Sequence, residues 1–380
     1  MAEDFDILQR LQLINTEGIG PVGFGRLLAR TASMEEALSE AAAKKTVPSL
    51  KWAEEELERA RQFGAVILSS DDPRYPQKLL ELSDTPPLLY AKGNLALLNH
   101  RPAVAAVGTR NATIIGRKLT SKIAFELTEN NVLVVSGMAR GIDAAAHKGA
   151  MYAKERRGPT IAVLGTGIDN IYPQENEELY RQIGEQGLLI SEYPMGTIAQ
   201  SGNFPRRNRI VAALAEAILV VEATHRSGSL ITAQMAANNG RKIFAVPGSP
   251  GEARSEGPNF LLRHGALWAE NANDILTALA FENKPEPLKP TTNVTADLFT
   301  KPLDNLQKTA DIPPVKNCDK NSILAYLSAE GVDTDEIIRS SGLDAPSVAM
   351  LLIELEMEDK IIRLPGNKIA LTGKNMKVRR

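Results

Sequence analysis

AVAAVG (103–108), VLVVSG (132–137), TIAVLG (160–165), LLISEY (188–193), AILVVEA (217–223) and KIFAVPG (242–248) recur at intervals of about 25–30 residues. Each run is continuously apolar at its start and rich in branched side chains. The stretches between them carry helical periodicity. Apolar strands without alternation, interleaved with helices, predict a parallel sheet covered on both faces, hence an α/β fold. Such sheets bind ligands beyond the carboxyl ends of their strands. Several of these runs end in glycine or a small polar residue: Gly108, Ser136–Gly137, Gly165 and Gly248. Either a backbone approaches a ligand there, or the chain turns tightly from strand to helix.

Outward from this unit, residues 65–100 contain two further strand-like runs, AVILSS and PPLLYAKG, around the turn DDPRYPQ. They are grouped with the sheet, giving a domain over 65–280. Residues 1–64 are helical by periodicity. TEGIGPVG (16–23) separates two amphipathic stretches. Helix, GIG, helix suits either a plain αα-hairpin or a helix-hairpin-helix whose backbone amides meet a DNA phosphate. Residues 281–318, rich in Pro, Thr, Asn and Lys, lack periodicity and read as a linker. Residues 319–373 show three helical stretches and then the hairpin IIRLPGNKIALT, which is winged-helix order. The third helix, 346–359, has no Lys or Arg and carries Glu354, Glu356, Glu358 and Asp359. That charge disfavours groove reading and favours a structural or protein-contact role. The tail, 374–380, is basic.

Composition narrows the function classes. The chain of 380 residues is 43% hydrophobic and 24% charged, with net charge −2. A globally basic nucleic-acid coat is excluded, so any polyanion site is local. Residues 101–280 alone are net positive, at +3, whereas 1–64 carry −3. One cysteine, Cys318, and four scattered histidines leave no material for a disulfide framework or a cysteine-based metal site. No metal or other cofactor is expected. No apolar run approaches a membrane span, and MAEDFDILQR does not resemble a signal peptide, so a cytoplasmic protein is expected.

Nucleotide-enzyme motifs are incomplete. GTGIDN (165–170) lacks the third glycine of a dinucleotide fingerprint, and no Walker lysine motif occurs. Asp143 and His147, four apart, form either an acid–base pair or a helix-start carboxylate beside a packed histidine. FPRRNRIVAAL (204–214) is the sharpest local feature: Arg206, Arg207, Asn208 and Arg209 stand at the start of an apolar helix. Guanidiniums there oppose the helix dipole and need compensation, from phosphate or from Glu192, Glu216 or Glu222. Phe204 and Tyr193 are candidates for base stacking. Gly108, Thr109 and Arg110 follow the first strand of the unit; Ser136, Gly137 and Arg140 follow the second. Ser227 or Ser229 in SGSLITAQMA is placed to cap a helix whose free amides take an anion. No catalytic residue is assigned.

VGTR, SGMARGIDAAAH, TIAVLGTGIDNIYPQEN, ISEYPMG, FPRRNRIVAAL, VVEA, SGSLITAQMA and FAVPG occur in that order within 101–280. This string resembles the DNA-processing protein A (DprA/Smf) family. The resemblance implies an extended Rossmann-like domain flanked by an N-terminal helical domain and a C-terminal winged helix. It implies a homodimer that binds and protects incoming single-stranded DNA and loads RecA onto it during natural transformation. The family is related to nucleotide phosphoribohydrolases. HRSGSLITA here lacks the glutamate of their motif, but a nucleotide-binding or phosphoribohydrolase-like enzyme is the rival reading.

Overall fold

The computed structural model describes residues 2–100, 102–153, 160–225 and 227–280. Within 323–372 it describes 323–324, 327, 332–341, 343, 348, 351–352, 355–356, 360–364 and 368–372. The described residues fall into two compact units, divided between 280 and 323. The stretch read as a linker, 281–318, and the basic tail lie outside them.

Four helices open the first unit: α1 (Ala2–Ile14), α2 (Pro21–Leu28), α3 (Met34–Ala42) and α4 (Leu50–Gln62). Ser33 and Ser49 cap α3 and α4, each accepting a backbone N–H from the first helical turn. Strand β1 (Val66–Ser69), the short helix α5 (Gln77–Leu80) and β2 (Leu88–Gly93) follow. From there strands and helices alternate. β3 (Ala103–Val107) leads to α6 (Ile114–Glu129), β4 (Leu133–Ser136) to α7 (Ile142–Met151), and β5 (Thr160–Val163) to α8 (Glu177–Gln186). β6 (Leu188–Ser191) precedes α9 (Asn203–Leu214), and β7 (Ala217–Val220) precedes α10 (Gly228–Asn238). β8 (Lys242–Ala245), α11 (Glu256–Arg263), β9 (Leu267–Trp268) and α12 (Ala272–Ala280) complete the unit.

The described strands of this unit form one sheet in the order β1-β2-β6-β5-β4-β3-β7-β8-β9. Pairing is parallel from β6 to β9, as the six apolar runs predict. β2 runs antiparallel to both β1 and β6, so the sheet is mixed at one side. All residues of β3 to β7 are buried, the condition that makes their sequences continuously apolar. The chain runs outward from β3 through β4 and β5 to β6, then crosses back to place β7 on the other side of β3. The topological switch point is therefore between β3 and β7.

The N-terminal helices divide their loyalties. Ile7 and Leu11 of α1, with Ala53, Leu57 and Ala60 of α4, share a core with Ile67, Tyr90 and Leu189 of the sheet. Leu13, Ile19, Phe24, Leu27, Ala37 and Ala41 form a smaller core between α1, α2 and α3. Glu56 joins α4 to the sheet. Its carboxylate is fully buried and accepts the Tyr90 hydroxyl at 2.7 Å and the Met195 amide at 2.7 Å, with Arg59 as its ion partner.

In the second unit, β10 (Val332–Asp333), β11 (Ile361–Leu364) and β12 (Lys368–Leu371) form an antiparallel sheet in the order β10-β12-β11. The predicted hairpin is β11–β12, registered as Ile362 opposite Ala370. A helix at Thr334–Ser341 follows β10. Residues 348, 351–352 and 355–356 are helical, with Val348, Leu352 and Leu355 buried at helical spacing. Glu354, Glu358 and Asp359 lie outside the described residues.

Replacing Glu56 by Ala leaves a buried hydroxyl and a buried amide without their acceptor. Loss of about 2–4 kcal/mol is expected, by urea denaturation, and clearly less for Glu56→Gln, which keeps an acceptor oxygen.

Candidate nucleic-acid interface

An open cleft of about 640 Å³ lies at the carboxyl edge of the parallel strands, at the switch point. One wall is the turn after β3, with Gly108, Thr109 and Arg110. The opposite wall is the start of α10, with Ser227, Gly228 and Ser229. Phe204, Arg207 and Asn208 of α9 close the third side. Ser227 is the cap of α10: its hydroxyl accepts the Ser229 amide at 3.3 Å and shares a 2.6 Å hydrogen bond with the Ser229 hydroxyl. The positive end of that helix dipole thus faces the cleft.

The arginine run is dispersed by the helix. α9 begins at Asn203, so successive residues point about 100° apart. Arg206 is exposed and lies outside the cleft lining. Arg207 points inward and is buried, donating to the carbonyls of Gly137 and Val163. It ties the ends of β4 and β5 together beneath the cleft. A Cβ on Gly137 would meet the Arg207 head group, so glycine at this strand end lets the guanidinium keep its place. Arg209 is also buried, and pairs with Glu192 and, at 3.0 Å, with Asp84. Carboxylates therefore compensate Arg209, with Glu192 as foreseen and Asp84 in addition. The other two candidate partners are engaged elsewhere: Glu216 accepts Lys78 and the Ala103 amide, and Glu222 accepts the Thr113 amide and hydroxyl at the start of α6.

Arg110 is exposed at the rim, its guanidinium 5.1 Å from the centre of the Phe204 ring. Tyr172 packs on Phe204 at 5.3 Å between ring centres, tilted by 34°. The result is a cation and two rings stacked along one lip. Gly137 and Arg140 line a small depression beside the cleft, shared with Arg110, Phe204 and Arg207. Arg140 is exposed and meets Glu175 at 3.3 Å. Ser136 is fully buried, its hydroxyl donating to the Ala106 carbonyl at 2.6 Å, so it supports the floor without reaching the surface. Tyr193 is turned away from the cleft, with its hydroxyl 3.4 Å from the Asn203 carbonyl. Tyr172, Thr224 and Thr232 line the cleft although sequence reasoning did not select them. Only the IYPQEN segment of the motif string pointed toward Tyr172.

Asp143 and His147 do not hydrogen-bond to one another. Asp143 lies in the cleft floor and accepts the amides of Gly137 at 3.2 Å and Ala139 at 3.4 Å. Burial raises its pKa, opposed by the charge of Arg207 and by those amides. His147 is fully buried, with Nδ1 2.7 Å from the Thr160 hydroxyl. Thr160 donates to the Val134 carbonyl, so the His147 Nδ1–H donates to Thr160. Burial first, and the Arg207 charge second, push the imidazole pKa down to about 3. Among the described residues, no group of three or more His, Cys, Asp or Glu side chains is placed to hold a metal ion, and no helix is long and apolar enough to cross a membrane.

The family model described as DNA recombination-mediator protein A matches residues 66–280, more than half of the chain. The chain belongs to the DprA/Smf family. Models for a DprA-like N-terminal HHH domain and a DprA winged helix domain match residues 4–58 and 307–367. The family expected from the motif string is thus the one found. The Smf protein of Synechocystis is 33% identical over 96% of this chain and 92% of its own length. DprA of Streptococcus pneumoniae is 44% identical over 55% of this chain and 73% of its own length. A solved DprA structure from the same species matches with a TM-score of 0.62 at 32% identity, covering 72% of this chain and 97% of that one. DNA processing protein A from Helicobacter pylori, described for its single-stranded DNA binding mode, matches with a TM-score of 0.52 at 30% identity. It covers 57% of this chain and 96% of its own.

His147 makes acid stability a direct readout of this floor. The unfolded ring takes up a proton near pH 6.5, whereas the folded ring stays neutral until about 3. Stability contributed by the buried neutral ring is complete above pH 6.5 and is lost as pH falls from there toward 3. Between pH 7 and pH 5 the parent should lose about 2 kcal/mol more than His147→Gln, measured by urea denaturation at both pH values.

Proposed function

We propose that this chain is a single-stranded DNA-binding recombination mediator whose strand site is the cleft between the β3 turn and α10. The observation that carries the reading is the lip formed by Arg110, Phe204 and Tyr172. A single strand offers phosphates and unpaired bases together, and this lip offers a cation beside the exposed Tyr172 ring and the partly exposed Phe204 ring. Arg110 supplies exposed charge to phosphates in the cleft, and Arg206, exposed outside its lining, supplies charge where the strand leaves it. The start of α10, with Ser227 and Ser229, supplies backbone and hydroxyl donors, and Gly108 and Thr109 bring the opposite backbone close. Asn208 and Arg140 flank this path. Arg207, Arg209, Ser136 and Gly137 act beneath the surface, holding the strand ends and α9 in place. The relative from Helicobacter pylori, described for its single-stranded DNA binding, supports the ligand class.

On this reading the protein acts in the cytoplasm as a homodimer, without catalysis, covering incoming single strands and passing them to RecA during natural transformation. Support for those steps comes from family membership and the motif string. RecA-dependent strand exchange on pre-coated DNA tests the transfer step. A mononucleotide that displaces a labelled oligonucleotide at equal concentration would instead favour a nucleotide-binding enzyme.

Affinity for oligonucleotides should fall steeply with salt and depend little on sequence, because single strands release counterions with a slope of about −0.7 per phosphate neutralised. Arg110→Ala and Arg206→Ala should each flatten the plot of log affinity against log salt by about 0.7. Fluorescence anisotropy over a salt series checks this. A parent-like slope in Arg110→Ala would remove the cleft as the strand site, whatever Arg206→Ala shows.

A further inference from the structure

The N-terminal hairpin holds a concentrated positive groove inside a segment of net charge −3. The groove, of about 230 Å³, runs between α2 and the end of α3. Arg26, Arg30, Lys44 and Lys45 line it, all exposed. Its lining carries one carboxylate, Glu40, which Arg30 and Lys44 share; the Lys44 contact is 3.4 Å. Lys45 reaches back over the turn and donates to the Glu17 carbonyl at 3.0 Å. Arg26 has no side-chain hydrogen bond or ion pair among the described residues.

Several of the segment's acids are engaged away from the groove, while Glu17 adjoins it through the carbonyl that holds Lys45. Asp4 and Asp6 pair with Arg61 and Arg10, and Glu54, Glu55 and Glu58 line a separate groove on α4. Total charge therefore conceals a local excess of cations at this groove. Four cations against one carboxylate repel one another unless a ligand brings several negative charges at once. A single small anion does not; a chain of phosphates does. Gly23, in the first turn of α2, lines the same groove without a side chain, so a phosphate can approach the backbone there, whereas the Lys45 ammonium covers Gly18. None of these residues belongs to the cleft.

We propose that this groove is a second DNA contact, taking the phosphodiester backbone through Arg26, Arg30, Lys44 and Lys45 independently of the cleft. The phosphates belong to a single strand or to a duplex, and labelled oligonucleotides of both forms, of one sequence, distinguish the two. The test uses the full chain carrying Arg26→Ala, Lys44→Ala and Lys45→Ala together. These side chains are exposed, so an unchanged thermal midpoint is the folding control. Arg110→Ala is measured in parallel. The triple variant should bind at least one DNA form about tenfold more weakly. Its salt slope should flatten by about 2 for single strands, or nearly 3 for duplex. Weakening confined to the triple variant supports the groove and removes the cleft. Weakening confined to Arg110→Ala keeps the cleft and overturns the groove. If the triple variant binds both forms with parent affinity and slope, the proposal fails and the groove is left to an acidic protein surface.

Discussion

Everything at the carboxyl edge of this sheet depends on one buried guanidinium. Arg207 reaches from α9 to the carbonyls that end β4 and β5, and sets its charge beside Asp143 in the cleft floor. A guanidinium stays protonated even under the desolvation that lowers its pKa here, so the floor holds a fixed positive charge. That charge helps keep His147 neutral and opposes the upward shift of Asp143. Glycine at 137 leaves room for the Arg207 head group, which any side chain there would displace.

Glutamates perform the matching task around the periphery. Glu56 joins α4 to β2 and to the loop after β6. Glu216 joins α5 to the start of β3, and Glu222 fixes the start of α6. Each accepts at least one backbone amide as well as a side-chain donor. Glu56 and Glu216 each satisfy donors from two elements at once, which apolar packing cannot do. The turn carrying Arg110 therefore lies between anchored ends, β3 on one side and α6 on the other.

The parallel part of the sheet was legible because its strands are buried on both faces, which leaves an uninterrupted apolar signature. β9 was invisible: two exposed residues, Leu267 and Trp268, make no periodic pattern. The antiparallel side was half visible, since runs at β1 and β2 reveal strands but not direction. In the second unit β10, again two residues, escaped notice while the β11–β12 hairpin did not. At the cleft, adjacency in sequence misled where helix geometry rules. Arg206, Arg207 and Arg209 read as one patch, yet they face solvent, floor and a buried carboxylate respectively. Tyr172 packs on a ring 32 positions away, and no local pattern encodes a contact between a loop and a distant helix start.

Because α1 and α4 share a core with β1 and β2, the hairpin is not a tethered bead. Its groove and the sheet's cleft belong to one compact unit. Two binding surfaces on one body act through effective concentration, which a floating module spreads over every position its linker allows. Here that spread is removed. With DNA held at both surfaces as proposed, a polymer engaged at one meets the other at a separation fixed by the fold, so avidity should appear abruptly once the polymer spans that separation, and shorter pieces should gain nothing from the second surface.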